Sequence, residues 1–361
     1  MRGGNMQWRQ NRMEGRERID AMLNYRRPDR VPINMITVGF PCRNAGHSVA
    51  AGYDCPETFF HSFLGTAEQY GWDLCPQNCP HVVLGAADFG GKVRLPQGEF
   101  EGALIVTSFP ASSEEDVARL ELPDPRKSDR IAKAMELSKL QAENGLPVTF
   151  VSRSPFTVAS NICGLQTFSR WMMKKPELCE RLMDLAMDHI FQVLGWWVEV
   201  FGAESVFALM TSPCESNQVI SPRQFQRFAL PRHLEYHRRL NALGLKRFWF
   251  HICGDQNLNL PALAEAAPWP HPSILSLGHE VELQEASRLF PEDILYGNVE
   301  PSVIQMGTPQ RIYDLTRETI EKGKRHPGGF VLSGGCELPP LAPPLNVFAM
   351  SKAVNDFGWY E

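Results

Sequence analysis

Short apolar runs alternate with helix-like segments along the last two-thirds of the chain, and this alternation constrains the fold more than any other feature. From about residue 130 onward, the predicted strands are PVTFVSRS, ESVFALM, RFWFHIC, SILSLG, ILYGNV and GGFVLSGGC. Segments of helical period follow them, which predicts parallel strands joined by crossover helices. Since 361 residues suffice for one closed barrel with additions, we predict an α/β protein with a (β/α)8 TIM-barrel fold.

The predicted helices differ in length. DRIAKAMELSKLQAENG ends at Gly145, and KKPELCERLMDLAMDHIFQVLGWWVEVFG forms one long helix. SPRQFQRFALPRHLEYHRRLNALG is predicted to be helical with a break at Pro231. Shorter helices are predicted for LPALAEA, VELQEASRLF, TPQRIYDLTRETIEKG and NVFAMSKAVNDFG.

The first 108 residues are less regular, and we interpret them as additions around the first strand. Residues 1–30 form an extension and a helix that Pro28 ends, and VPINMITVGF is the first buried strand. Residues 41–60, interrupted by glycine and proline, are predicted to be irregular, with a helix over 60–72. Three strand-like pieces within about 80–108 predict a small antiparallel insertion. We expect one domain over 1–361.

Composition excludes several classes of protein. Hydrophobic residues make up 43% and charged residues 21%, as in globular enzymes, and the net charge of -5 argues against binding to nucleic acid or to an anionic membrane. No apolar run has the length of a bilayer span, and the N-terminus has no apolar signal core, so we expect a cytoplasmic protein. In that compartment, nine cysteines serve as buried residues, metal ligands or thiols more often than as disulfides.

The segment FWFHICGD carries the sharpest chemical pattern. His251 and Cys253 are two residues apart at the end of a predicted strand, so their side chains point to the same side. GGFVLSGGC places Cys336 at the end of the last strand, and in a barrel the carboxyl ends of all strands form the active-site face. One imidazole and two thiolates suit a catalytic zinc ion with an open fourth position. Incidental packing of a histidine beside a cysteine is the alternative.

Polar residues that follow other strands are candidates for the same pocket. Glu215 and Glu300 could accept a proton or fill the open metal position, although Glu300 could equally cap the next helix. Asn298 and Asp73 are candidates for binding the substrate, and a solvated loop carboxylate is the alternative for Asp73.

Two further groups of metal-ligand residues are weaker. Cys75 and Cys79, with His81 nearby, could form a metal clip, but loop or buried cysteines are the simpler interpretation. His233 and His237 are spaced as a helical metal pair, but neighbouring charged residues favour a solvated helical face. GxGxxG and Walker-type loops are absent, so the sequence gives no support for nucleotide binding.

Together these segments resemble the uroporphyrinogen decarboxylase-like superfamily over nearly the whole chain. The likeness begins with RERIDAMLNYRRPDRVPIN, continues through SPFTVASNICG, KKPELCERLMD and ISPRQFQRFALP, and is closest in HICGD, ILYGNVEP and FVLSGGCELPPLAPPLNVFAMSKAV. Within the superfamily the chain is most similar to the zinc-containing corrinoid methyltransferases that serve coenzyme M.

This resemblance implies both a cofactor and a partner. It assigns zinc to His251, Cys253 and Cys336, and it implies methyl transfer between a corrinoid (methylcobalamin) on a separate corrinoid protein and a small thiol, methoxylated or methylated substrate. The decarboxylase branch carries an arginine-rich motif near the first strand, where this chain has only Arg43. A metal-free tetrapyrrole lyase and a non-catalytic barrel that binds a corrinoid protein are the alternatives.

Overall fold

The computed structural model describes residues 8–73, 85–98, 100–267 and 269–360. The described strands are β1 (Lys92–Arg94), β2 (Ile105–Ser108), β3 (Val148–Arg153), β4 (Val206–Thr211), β5 (Arg247–Ile252), β6 (Ile274–Leu277), β7 (Ile294–Val299) and β8 (Phe330–Gly334). β3 to β8 form one parallel sheet in chain order, as the alternation predicts. All residues of β6 and β8 are buried, because crossover helices cover the outer face of such a sheet and its inner face packs on itself.

The segment VPINMITVGF continues this sheet beside its last strand. Ile33 pairs in parallel with Leu332 of β8, and backbone hydrogen bonds join Pro32 and Asn34 to the same residue. The segment was predicted to be a strand, but it forms only an isolated bridge, and a helix begins within it at Gly39. The bridge at Ile33 places this segment next to the last strand, as closure of a barrel requires. Residues 74–84, which include the first strand-like piece of the predicted insertion, are outside the described residues.

β1 and β2 are antiparallel and form the small insertion that the sequence predicts. The segment between them contacts the loop that follows β8. The Tyr53 hydroxyl donates to the Gly102 carbonyl at 3.1 Å, and a Cβ at Gly102 would lie 3.2 Å from Pro340. The insertion therefore borders the end of the barrel at which β8 finishes.

The helices confirm most of the predicted pattern. They are α1 (Gly15–Leu23), α2 (Gly39–Asn44), α3 (Val49–Asp54), α4 (Pro56–Tyr70), α5 (Glu114–Arg119), α6 (Asp129–Glu143), α7 (Pro155–Cys163), α8 (Leu165–Lys174), α9 (Pro176–Phe201), α10 (Pro222–Gln224), α11 (Leu230–Ala242), α12 (Leu260–Ala266), α13 (Leu283–Leu289), α14 (Pro301–Met306), α15 (Pro309–Gly323) and α16 (Pro344–Phe357). No helix among the described residues is long and apolar enough to cross a lipid bilayer.

Two predictions were wrong about where helices lie. Residues 41–60 contain most of α2, all of α3 and the start of α4, because Ser48 caps α3 and Pro56 occupies the first turn of α4, where proline is tolerated. The chain does not break at Pro231, since a π-helical turn over residues 225–229 joins α10 to α11 and places that proline in a first turn.

The amino-terminal end of the barrel holds a closed network of buried charges. Arg18 of α1 donates to Asp29 at 2.6 Å and to Asp73 at 2.7 Å, and Arg30 donates to Asp73 at 2.8 Å. This position follows from the pairing of Ile33 with β8, which places Arg30 level with the residues that precede that strand. We call these four residues the amino-end cluster.

Candidate metal centre

The three predicted metal ligands lie together at the opposite end of the barrel. His251 is near the carboxyl end of β5, Cys253 follows that strand, and Cys336 follows β8. Glycines let the intervening loops approach one another: a Cβ at Gly278 would lie 2.4 Å from the Gly254 carbonyl oxygen, and Gly254 itself has a φ of 73°. These contacts bring the loops after β5, β6 and β8 to one point.

Two of the three separations between the donor atoms match those of a tetrahedral zinc site. Cys253 Sγ and Cys336 Sγ are 3.6 Å apart, Cys336 Sγ is 3.7 Å from His251 Nε2, and all three atoms lie within 4.8 Å of one another. Zinc–sulfur and zinc–nitrogen bonds of about 2.3 and 2.0 Å in a tetrahedron separate the ligand atoms by roughly 3.6–3.8 Å. The sulfur separation is far longer than a disulfide bond of about 2.05 Å. The side chains present therefore fit zinc.

A buried hydroxyl orients the imidazole. Ser276 of β6 is paired with His251 in the sheet, and its Oγ is 2.8 Å from Nδ1. The same oxygen accepts a hydrogen bond from Trp249 Nε1 at 3.0 Å. When Nδ1 carries the proton and donates it to Ser276, the lone pair of Nε2 points to the two sulfurs, as a metal ligand needs.

The two thiols respond to each other electrostatically. A hydrogen bond from Cys253 lowers the pKa of Cys336, to which His251 also contributes, and the same contact raises the pKa of Cys253. If the pair held a metal ion, both cysteines would be thiolates, because metal ligation requires deprotonated sulfur.

Glu337 is a carboxylate of this site that the sequence interpretation missed. Its Oε1 accepts hydrogen bonds from the backbone N–H groups of Val38 at 3.1 Å and Gly39 at 3.4 Å, which fixes the loop after β8 against α2. Burial raises the pKa of Glu337 to about 7, and the charge of Cys336 acts in the same direction. Its position directly after a predicted ligand was the signal that could have identified it.

Glu215 lies in a buried network of its own. It ends a short 3-10 turn after β4, its Oε2 is 2.5 Å from His233 Nε2, and its Oε1 accepts a hydrogen bond from Ser154. Both oxygens are thus engaged, and Glu215 does not belong to the His–Cys–Cys group.

The prediction of a solvated face for His233 and His237 was wrong. Both are buried, and His237 packs among the rings of Phe248, Phe250 and Trp269. They share one helical stripe with Tyr236, and this stripe faces the sheet while the charged neighbours face outward.

Asn298 is the second-last residue of β7 and Glu300 directly follows that strand, and neither belongs to the metal cluster. The Asn298 amide donates to the carbonyls of Gly278 at 2.9 Å and Val281 at 2.7 Å, so it holds the loop after β6. Glu300 occupies the position before α14 without capping it and accepts a hydrogen bond from Ser302. Catalysis by Glu215 or Glu300 and substrate binding by Asn298 stay predictions.

Asp73 belongs to the amino-end cluster and not to this site. Its oxygens accept from Arg18, Arg30 and the Ile33 backbone N–H, so the expectation of a solvated loop carboxylate was wrong. Because these partners lie at the other end of the barrel, the structure does not support the prediction that it binds the substrate. The predicted clip of Cys75, Cys79 and His81 lies outside the described residues.

Comparison with known proteins identifies the family. The sequence profile described as "Uroporphyrinogen decarboxylase (URO-D)" matches residues 14–357. The chain belongs to the URO-D family. A solved structure described as a methyltransferase from Methanosarcina mazei superposes with a TM-score of 0.78 at 23% identity, over 96% of this chain and 99% of that one. This similarity confirms the predicted barrel fold.

Within the family the chain is similar to proteins of two activities. It is 21% identical to "Methylcobamide:CoM methyltransferase MtaA" of Methanosarcina barkeri over 94% of this chain and 97% of that protein. A match of 26% identity to "Methylated-thiol--coenzyme M methyltransferase" of Methanosarcina mazei spans 49% of this chain and only 46% of the relative. "Uroporphyrinogen decarboxylase" of Paraburkholderia phytofirmans is 25% identical over 81% of this chain and 84% of that protein. These relatives support an enzyme and, in two cases, a methyltransferase.

Proposed function

We propose that this URO-D family protein is a zinc-dependent methyltransferase that moves a methyl group between a corrinoid and a small thiol, methoxylated or methylated substrate. The observation that carries the proposal is the His–Cys–Cys group at the barrel mouth, whose spacing fits zinc. Three protein ligands leave one tetrahedral position for a substrate atom, which distinguishes a catalytic site from a structural one.

The chain's own residues prepare this position for chemistry. His251, Cys253 and Cys336 would hold the ion, and the contact with Ser276 holds the imidazole in the orientation of a ligand. When bound, zinc lowers the pKa of a coordinated thiol or polarises a methoxyl oxygen, so that methyl transfer to or from that atom proceeds at neutral pH. The half-buried position of both cysteines limits water at the reacting atom.

The corrinoid would be presented by a separate protein that docks over the barrel mouth. Large apolar side chains are exposed in segments that border this mouth: Phe100 of the insertion is 86% exposed, and Met306 at the end of α14 is 77% exposed. Leu258 after β5 and Leu345 at the start of α16 are also exposed. A contiguous exposed apolar patch marks a surface that a partner covers, and we propose these residues as its candidates.

Metal analysis and anaerobic corrinoid spectroscopy test this function together. We expect about one zinc per chain, and a change in corrinoid absorption when the protein is mixed with methylcobalamin and thiols, or with Co(I) corrinoid and methoxylated compounds. Protein stripped of metal is the matched control and should leave the spectrum unchanged. No spectral change with any pairing, including the cognate corrinoid protein, would rule out methyl transfer. Decarboxylation of a tetrapyrrole by metal-free protein would establish the lyase instead.

A further inference from the structure

A cavity lies at the amino-terminal end of the barrel, where the proposed metal chemistry does not take place. Its volume is about 250 Å³, and it is lined by the chain before α1, the end of α4 and one face of α16. Arg30 of the amino-end cluster also lines it, so the cavity is separate from the metal centre at the opposite end. Sites for drug-sized ligands have volumes of roughly 300–1000 Å³, so this cavity suits a smaller molecule.

Aromatic rings form much of the cavity wall. Phe348, Ser351 and Asn355 line it from α16, and their spacing of three and four residues places them on one face of that helix. Trp8 packs edge-to-face on Phe348 with the ring centroids 6.0 Å apart, and Trp359, just beyond α16, also lines the cavity. Such walls favour a ligand with a flat apolar body, because aromatic rings pack against one another in stacked or edge-to-face arrangements.

The hydroxyl of Ser351 is a buried polar group of this cavity without a partner. Ser351 is 4% exposed, and its Oγ makes no hydrogen bond within the part of the chain that the structure describes. Burial of a hydroxyl without a hydrogen bond is unfavourable, and such groups in folded proteins are nearly always paired. Because Ser351 borders the cavity, a polar group of an occupant would provide the missing partner.

The cavity is also lined by one cation and one anion that are not paired with each other. The backbone N–H of Arg9 donates to the Asn355 side chain at 2.9 Å, and the Arg9 guanidinium lies 5.9 Å from the centre of the Trp359 ring. Glu68 lies in the last turn of α4, where the end of a helix adds a partial negative charge. Neither charged group forms a hydrogen bond or an ion pair with another described residue. A ligand anion thus fits beside Arg9 and a ligand cation beside Glu68.

We propose that this cavity binds a small zwitterion with a flat apolar body, that is, an aromatic α-amino acid. Its carboxylate would accept hydrogen bonds from Arg9, its ammonium group would donate to Glu68, and its ring would pack on the aromatic walls. Ser351 would pair with one of the polar groups. An aromatic ligand with a single charge would leave either Arg9 or Glu68 unmatched. This site is independent of the proposed methyl transfer.

Calorimetric titration of the purified protein with three matched ligands tests the inference. L-phenylalanine carries both charges, 2-phenylethylamine lacks the carboxylate, and 3-phenylpropionate lacks the ammonium group. We expect L-phenylalanine to bind about 10-fold more tightly than either analogue, as one charged hydrogen-bonded pair provides. Arg9→Gln should lower its affinity to that of the amine, and Glu68→Gln should lower it to that of the acid. Ser351→Leu should fill the cavity and abolish binding of all three ligands.

Arg26→Gln and Glu57→Gln are the matched controls, because Arg26 is exposed beyond α1 and Glu57 is exposed at the other end of α4. Both should leave all three affinities unchanged. The exposed positions of Arg9 and Glu68 keep the test decisive even if Ser351→Leu does not fold. No binding of L-phenylalanine at millimolar concentration, equal affinity for the three ligands, or an equal loss in the control variants would overturn the proposal. Protein stripped of metal should give the same affinities, so the result does not depend on the metal centre.

Discussion

The two ends of the barrel each hold a buried group of charged or ionisable side chains, and the two groups differ in how completely they are paired. At the amino-terminal end, Arg18 and Arg30 are matched by Asp29 and Asp73, with side chains that are at most 8% exposed. Burial alone would raise the pKa of Asp29, but hydrogen bonds from Arg18 and from the backbone of Arg12 and Met13 hold it below its usual value. Every charge of this cluster has its partner within the chain.

At the carboxyl end the pairing is incomplete. The sulfurs of Cys253 and Cys336 lie 3.6 Å apart with no lysine or arginine side chain paired to them among the described residues, and the half-buried carboxyl of Glu337 has a raised pKa. The comparison teaches that a closed network serves the stability of the fold, whereas the open one supplies the donor atoms for the metal ion that we propose.

Removing both thiols should have the largest effect. That effect should be confined to the carboxyl end of the barrel, where the network is open. In Cys253→Ala, Cys336→Ala we expect zinc to fall from about one per chain to near zero and methyl transfer to fall at least ~1000-fold, because a single imidazole holds the ion weakly. The free energy of unfolding of the metal-free variant should lie within about 2 kcal/mol of that of metal-free wild type, since a catalytic site contributes little to folding. Mass spectrometry of bound metal and urea unfolding measure both. Full zinc retention would refute the ligand assignment.

Disrupting the amino-end cluster should have the opposite result: the protein should lose stability but keep its zinc. Asp73→Asn leaves Arg18 and Arg30 buried without their shared carboxylate, so we expect a loss of about 3–5 kcal/mol in the free energy of unfolding. Zinc per folded chain should not change. Glu204→Gln is the matched carboxylate-to-amide control, because Glu204 pairs with Lys246 on the exposed surface, where an ion pair adds little. Equal midpoints of urea unfolding for both variants would contradict the comparison.

The features that could be predicted are those visible in the sequence of a single strand or helix. The alternation of apolar runs predicted all six strands of the sheet, and the spacing of His251 and Cys253 placed them on one side of β5. Cys336 joined them because barrel strands end at a common face.

The parts that sequence interpretation missed depend on register and on distant partners. Ser276 contacts His251 because the register of β5 and β6 pairs the two residues, and the sequence of either strand alone does not contain that alignment. Asp73 meets arginines that are 55 and 43 positions away in the chain, so its local sequence gave no sign of burial. The same holds for His237, whose charged sequence neighbours concealed an apolar helical face.

The smallest predicted effect concerns Ser276, which contacts the His251 imidazole on the side away from the two cysteines. Ser276→Ala removes the hydroxyl that fixes the His251 ring through Nδ1, while the three metal ligands stay in place. Losing such a contact costs about 10–100-fold in metal affinity, so zinc competition with a chelator should show a shift in that range. Ser276→Thr keeps a hydroxyl and should restore most of the affinity.

Trp249 provides the control that separates orientation from packing. Its Nε1 donates to the same Ser276 oxygen. Ser276→Ala therefore leaves both the buried indole N–H and the imidazole without this hydrogen-bond partner. Trp249→Phe breaks that hydrogen bond but leaves the His251–Ser276 contact, and we expect its zinc affinity to stay within about threefold of wild type, because the contact that orients the ligand is the one preserved. If Trp249→Phe weakens zinc binding as much as Ser276→Ala does, general packing of the barrel interior holds the imidazole. Packing of the whole barrel interior, and not the hydrogen bond between Ser276 and His251, would then determine the geometry of the candidate metal centre.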